Sequence, residues 1–107
     1  MDERLYKHFY DVEERFWWSV GTRRAFWAAL AEVAPGRDAH VVDVGCGTGI
    51  VLREFPWPTR LRCGIDASRM ALALTQERGV RDLVRADVAR LDALFSDDRA
   101  IDILATN

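Results

Sequence analysis

Hydrophobic and polar positions follow two different periods along this chain. From about Glu3 to Val33, Leu5, Phe9, Val12, Phe16 and Val20 recur at three- and four-residue steps, the spacing of one helix face. Gly21 is expected to divide this stretch into two helices, with Thr22 capping the second and Pro35-Gly36 ending it. From Ala39 onward the pattern changes to short apolar runs. Ala39–Val44, Leu61–Ile65, Leu83–Ala86 and Ile101–Ala105 read as four strands. A short helix, about Gly49–Phe55, is expected between the first two, stopped by Pro56 and Pro58. A second, from about Arg69 to Arg78, is capped by Ser68 and closed by Gly79. Leu91–Phe95 supplies a helical or turn connection to the fourth strand. Alternating strands and helices predict an α/β fold with a parallel sheet and right-handed crossovers. Residues 1–34 read as a helical extension, and residues 35–107 as the α/β part.

The chemistry concentrates where the first strand ends. Val41-Val42-Asp43-Val44 runs into Gly45-Cys46-Gly47-Thr48-Gly49, a strand turning sharply into a helix. Glycine tolerates positive φ and lets the backbone approach a ligand closely. The first helical N–H groups and the helix dipole are expected to favour an anionic group there. The dinucleotide spacing G-x-G-x-x-G is not met, because Ile50 occupies its third glycine site. Two acids follow at strand ends: Asp66 lies 21 residues after Gly45, and Asp87 lies 21 residues after Asp66. Strand C-termini line one crevice in an open α/β sheet, so the turn and both acids should converge there. An acid at the Asp66 spacing is placed to accept hydrogen bonds from ribose hydroxyls.

G-x-G-x-G with an acid two residues before the first glycine resembles motif I of the class I S-adenosylmethionine (SAM)-dependent methyltransferases. The resemblance runs from about Val33 to Asn107 and implies SAM as cofactor. It implies that Asp43 helps hold the methionine part of SAM, and that Gly45, Cys46, Gly47 and Gly49 lie under the methionine and ribose. Asp66 would bind the ribose, with Ala67 beside the adenine. Asp87 would take the adenine amino group, with the Val88 N–H on the ring. Asn107 would fall near the methyl group and substrate. The family's seven strands are ordered 3-2-1-4-5-7-6. Four are present here, so the resemblance implies a Rossmann-like partial sheet of order 3-2-1-4, truncated after the fourth strand. Tyr10-Asp11-Val12-Glu13-Glu14-Arg15-Phe16-Trp17-Trp18, followed by Thr22-Arg23-Arg24, is similar to a helical extension reading hFWf…aRR in one subgroup, where it packs over the cofactor cleft.

Each functional reading has a structural alternative. Asp66 could cap a helix, Asp87 could be a solvated turn acid, and Asp43 could satisfy buried loop amides. Cys46 reads as small filler in the turn and Cys63 as core. Phe16, Trp17, Trp18, Phe26 and Trp27 read as packing, with a lid over the cofactor as the alternative. Arg23 and Arg24 read as a solvated face, with carboxylate binding as the alternative. His8 and His40 read as neither ligands nor bases. No residue stands out as a catalytic base.

Composition narrows the field. The chain has 107 residues, enough for one small domain, and is 50% hydrophobic, too apolar for a disordered chain. A net charge of −2 gives no field that recruits nucleic acid, and Lys7 is the one lysine among 15 basic residues. The two cysteines lack the spacing of a metal site and are not expected to pair, which suggests a reducing, cytoplasmic setting. The N-terminus lacks the apolar core of a signal peptide, and no apolar run approaches the ~20 residues that span a membrane. The missing strands suggest a truncated chain, a broken or split gene, an incompletely read gene, or a subunit completed by another chain. Ile101-Asp102-Ile103-Leu104 would then be an exposed edge inviting self-association or completion by another chain. The function expected is methyl transfer from SAM, with a small molecule as the expected acceptor. The alternatives are a non-catalytic module binding SAM or only a partner chain, and one half of an NAD-dependent oxidoreductase.

Overall fold

A computed structural model describes residues 3–32, 39–87 and 103–106. Helices α1 (Glu3–Val12) and α2 (Trp17–Ala31) precede an alternation of β1 (Ala39–Val44), α3 (Ile50–Glu54), β2 (Thr59–Asp66), α4 (Arg69–Glu77) and β3 (Asp82–Arg85). The fold is α/β. The first three strands form a parallel sheet with β2 between β1 and β3, Val44 opposite Ile65 and Asp66 opposite Arg85. Their C-terminal ends therefore lie level along one edge. The backbone of β4 (Ile103–Thr106) runs parallel to β1 on its other side, with Val44 opposite Thr106. Val88, the Leu91–Phe95 connection, Ile101 and Asn107 lie outside the described residues.

Strand β1 is covered on both faces. Ala39 and Val41 pack with Cys46, Leu52, Phe55 and Val80, while Val42 and Val44 pack with Cys63 and Ile65. A strand with apolar residues on both faces belongs in a sheet with both faces covered. On the first face Trp27 of α2 meets Phe55 and Trp57 edge-on, at ring separations of 5.7 and 6.2 Å. Trp27 is thus a packing aromatic, as its spacing suggests, whereas Phe16, Trp17 and Trp18 stand exposed. Pro56 and Pro58 break the chain after α3, and Arg62 donates to the carbonyls of Leu52, Phe55 and Trp57 there. Burial lowers the pKa of this guanidinium.

The helix break differs from the expected one. Gly21 lies inside α2, and the chain bends at residues 13–16. The Glu13 and Phe16 amides close off α1 on the carbonyls of Phe9 and Val12. Thr22 caps nothing: its hydroxyl donates back to the Trp18 carbonyl at 2.7 Å. The residue entering α2 is Phe16, extended and without a side-chain cap. An isolated glycine costs a helix only about 1 kcal/mol, less than the polar contacts made at the bend. There Arg23 donates to the Glu13 carbonyl and pairs with both Glu54 oxygens. Arg23 is therefore buried and pairs with a carboxylate, and Arg24 alone keeps the solvated-face role. The Ser68 cap stands as expected, its hydroxyl accepting from the Ala71 amide at 3.2 Å.

Candidate functional site

The strand-to-helix turn is built from glycines at 45, 47 and 49, with φ of 74°, 57° and 80°. Its amides are mostly used inside the protein. Gly45 and Cys46 donate to the Ile65 carbonyl, Gly49 donates to the Cys46 carbonyl, and Gly47 donates to Asp66 Oδ2 at 3.0 Å. The helix that follows has only five residues. These four amides point at internal acceptors, and one acceptor is a carboxylate; the first helical N–H groups, to which the expectation referred, begin after them at Ile50. Nothing is left of a phosphate cradle at those four positions.

Gly49 is fixed by packing as well as by φ. A Cβ there would lie 2.6 Å from Thr75 Cγ2 of α4. Thr75 is fully buried, and its hydroxyl lies 3.0 Å from the Gly47 carbonyl. Replacing Gly49→Ala is expected to destabilise the fold by about 2 kcal/mol or more, since left-handed backbone alone costs roughly 1–2 kcal/mol. Urea denaturation measures this, and an unchanged midpoint would contradict it.

Asp66 ends β2 and joins both loops at the sheet edge. Its Oδ2 accepts from Gly47, and its Oδ1 accepts from the Ser68 amide at 2.9 Å. The capping role and the crevice position thus belong to the same carboxylate. A cavity of about 530 Å3 opens above it. Gly45, Cys46, Gly47, Asp66, Ala67 and Asp87 line that cavity. Gly49 is buried behind them, and Val88 lies outside the described residues. Arg85 donates to the Ala67 carbonyl at 3.0 Å, which holds the adjoining loop.

Asp43 takes a different place. It is 1% exposed, it does not line the cavity, and its Oδ2 has no hydrogen-bond partner. Burial, reinforced by the charge of Asp66, pushes its carboxyl up to about 7. Cys46 lies beneath the turn with Sγ 3.6 Å from the Thr75 hydroxyl. Burial pushes its thiol up to about 12, so it remains protonated filler. Both cysteines are free and buried.

The opposite wall was not legible in the motif. It comes from α1, which brings Tyr6 and Phe9 to the cavity, and from Glu13 just beyond it, with Thr48, Ile50 and Val51 beside the turn. Burial, then the charge of Asp66, raises the Tyr6 phenol. Tyr6 and Phe9 are three residues apart on one helix face, the only sequence signal for a shared role. Among the described lining residues the ionisable groups are Tyr6, the thiol of Cys46 and the carboxylates of Glu13, Asp66 and Asp87, with no basic side chain. No group of three potential metal ligands occurs among the described residues, and no helix there is long and apolar enough to cross a membrane. No family model matches the chain, and no curated protein matches it.

Proposed function

We propose that this chain is the cofactor-binding part of a class I SAM-dependent methyltransferase, with a Rossmann-like sheet in the order β3-β2-β1-β4, acting on a small-molecule acceptor in the cytoplasm. The observation that carries this reading is the convergence of the glycine turn, Asp66 and Asp87 on one cavity. Asp66 and Asp87 line the cavity, none of the described lining residues is basic, and four turn amides are already bonded to internal acceptors. A dinucleotide would set its pyrophosphate against those acids. SAM carries no phosphate, and its ribose hydroxyls and adenine amino group are donors that suit them. The volume falls within the roughly 300–1,000 Å3 usual for small-molecule pockets.

Asp66 has lone pairs left for two ribose hydroxyls, because an ionised carboxylate offers about four acceptor sites and two are filled. Asp87 would accept from the adenine amino group, while Ala67, Ile50 and Val51 supply apolar surface for the ring. When bound, the cofactor supplies an electrophilic methyl group for in-line attack. The residues described here would hold and orient it, and placement of reactants supplies much of the rate. None of them is assigned as the base.

A second reading is a non-catalytic module that binds SAM or only a partner chain. It is favoured by the completeness of the turn: Asp66 satisfies both loop amides before any ligand arrives. Calorimetric titration with S-adenosylhomocysteine, the demethylated product, tests the proposal. Micromolar binding that NADH does not displace is expected. Displacement by NADH would favour the oxidoreductase alternative. No binding by a folded chain would favour a partner-binding module.

A further inference from the structure

We propose that Arg78 is a latch that holds α1 closed over the cavity and ties its docking to the shape of the glycine turn. Helix α1 supplies a wall of the cavity yet contains no buried residue. Leu5 and Phe9 are 46% and 40% exposed, so apolar burial does little to fix this helix. A ten-residue helix is also too short to persist alone in water.

A single guanidinium makes up the difference. The Arg78 side chain, at the end of α4, is 1% exposed. Its Nη1 donates to the Thr48 carbonyl of the turn at 2.9 Å and also to the Glu13 carboxylate. Its Nη2 donates to the Tyr10 carbonyl at 3.0 Å. The Tyr10 ring lies 4.3 Å from the guanidinium carbon, within cation–π range. Tyr10 is in the last turn of α1, where a carbonyl lacks a helical donor and a cation complements the dipole. The Thr48 hydroxyl donates to the same Glu13 oxygen, closing a ring of turn, α1 and α4. The planar fork of arginine suits three acceptors at once, which a lysine ammonium on a flexible stem does not reproduce. Any ligand that fixes the turn would thereby fix Thr48, and through Arg78 the wall that carries Tyr6 and Phe9.

The inference rests on the methyltransferase reading only for the choice of ligand probe. Amide hydrogen exchange on the free chain tests the latch itself. In Arg78→Met, protection in residues 3–12 is expected to fall at least tenfold while β1 and β2 keep theirs. Glu13→Gln should show the same selective loss to a smaller degree, and Arg78→Lys an intermediate one. Unchanged protection of α1 in Arg78→Met would overturn the latch. So would uniform loss through helix and sheet in both Arg78→Met and Glu13→Gln, since the contact would then be an ordinary structural ion pair. Adding S-adenosylhomocysteine should raise α1 protection in the unmodified chain and not in Arg78→Met. Absence of binding by the unmodified chain would reject the ligand reading and leave the exchange result standing.

Discussion

Between pH 4 and pH 8 the folded chain is expected to lose about 4 kcal/mol of stability through Asp43 alone. The carboxyl is buried and one of its oxygens has no partner, and its pKa rises from 3.8 to about 7. A raised carboxyl means that the folded state binds the proton more tightly than the unfolded state. Stability therefore falls as pH rises through the interval between the two values, and the loss is complete above about 7. A shift of about three units corresponds to roughly 4 kcal/mol at 1.36 kcal/mol per unit. Asp43→Asn should remove most of this slope. The variant is expected to be more stable than the parent by about 2–4 kcal/mol at pH 8 and nearly equal to it near pH 4. Urea unfolding at both pH values measures the difference. A parent chain whose stability is flat or rises over this range would show that Asp43 finds a compensating donor.

Asp66→Ala is expected to weaken S-adenosylhomocysteine binding about 100-fold. Hydrogen bonds to a charged group contribute roughly 1.5–3 kcal/mol each, and the proposed function has this cavity-lining carboxylate accept from two ribose hydroxyls. The same change leaves the Gly47 and Ser68 amides without their acceptor. A loss of about 1–2 kcal/mol in unfolding free energy should accompany it. Asp66→Asn retains one acceptor oxygen, and about a tenfold loss of affinity is expected. Calorimetry and urea denaturation on the same samples keep the two effects apart. Full affinity in a folded Asp66→Ala chain would remove this residue from the binding site.

The two acids also show what a sequence makes legible. Strand ends are readable because a run such as Val41–Val44 is apolar but for Asp43, and the polar residue closing a strand falls at the same edge. Asp66 and Asp87 could be placed at the crevice on that ground, and Ser68 as a cap from its local pattern. The orientation of Asp43 was not readable. An acid within an apolar strand end can face loop amides or a dry interior, and only the surrounding side chains decide.

The resemblance implies that the N-terminal extension packs over the cleft, but not which of its residues line the cavity or what attaches α1 there. Its attachment runs through Arg78, 65 residues along the chain from Glu13, and no local period records a contact of that separation. The bend at residues 13–16 was missed for the same cause. Ion pairs made by Glu13 and Glu14 with Arg78 and Arg53 govern the path there, overriding the propensity of Gly21.

The clash between a Cβ at position 49 and Thr75 has an evolutionary corollary. These two positions cannot drift independently while α4 packs where it does. Selection on folding alone would then be expected to retain a glycine at 49, before any selection on a ligand acts. A descendant that lost its chemistry would still carry the glycine for as long as it kept its shape. In such lineages the motif would persist as a fossil of architecture, whether or not the function was still alive.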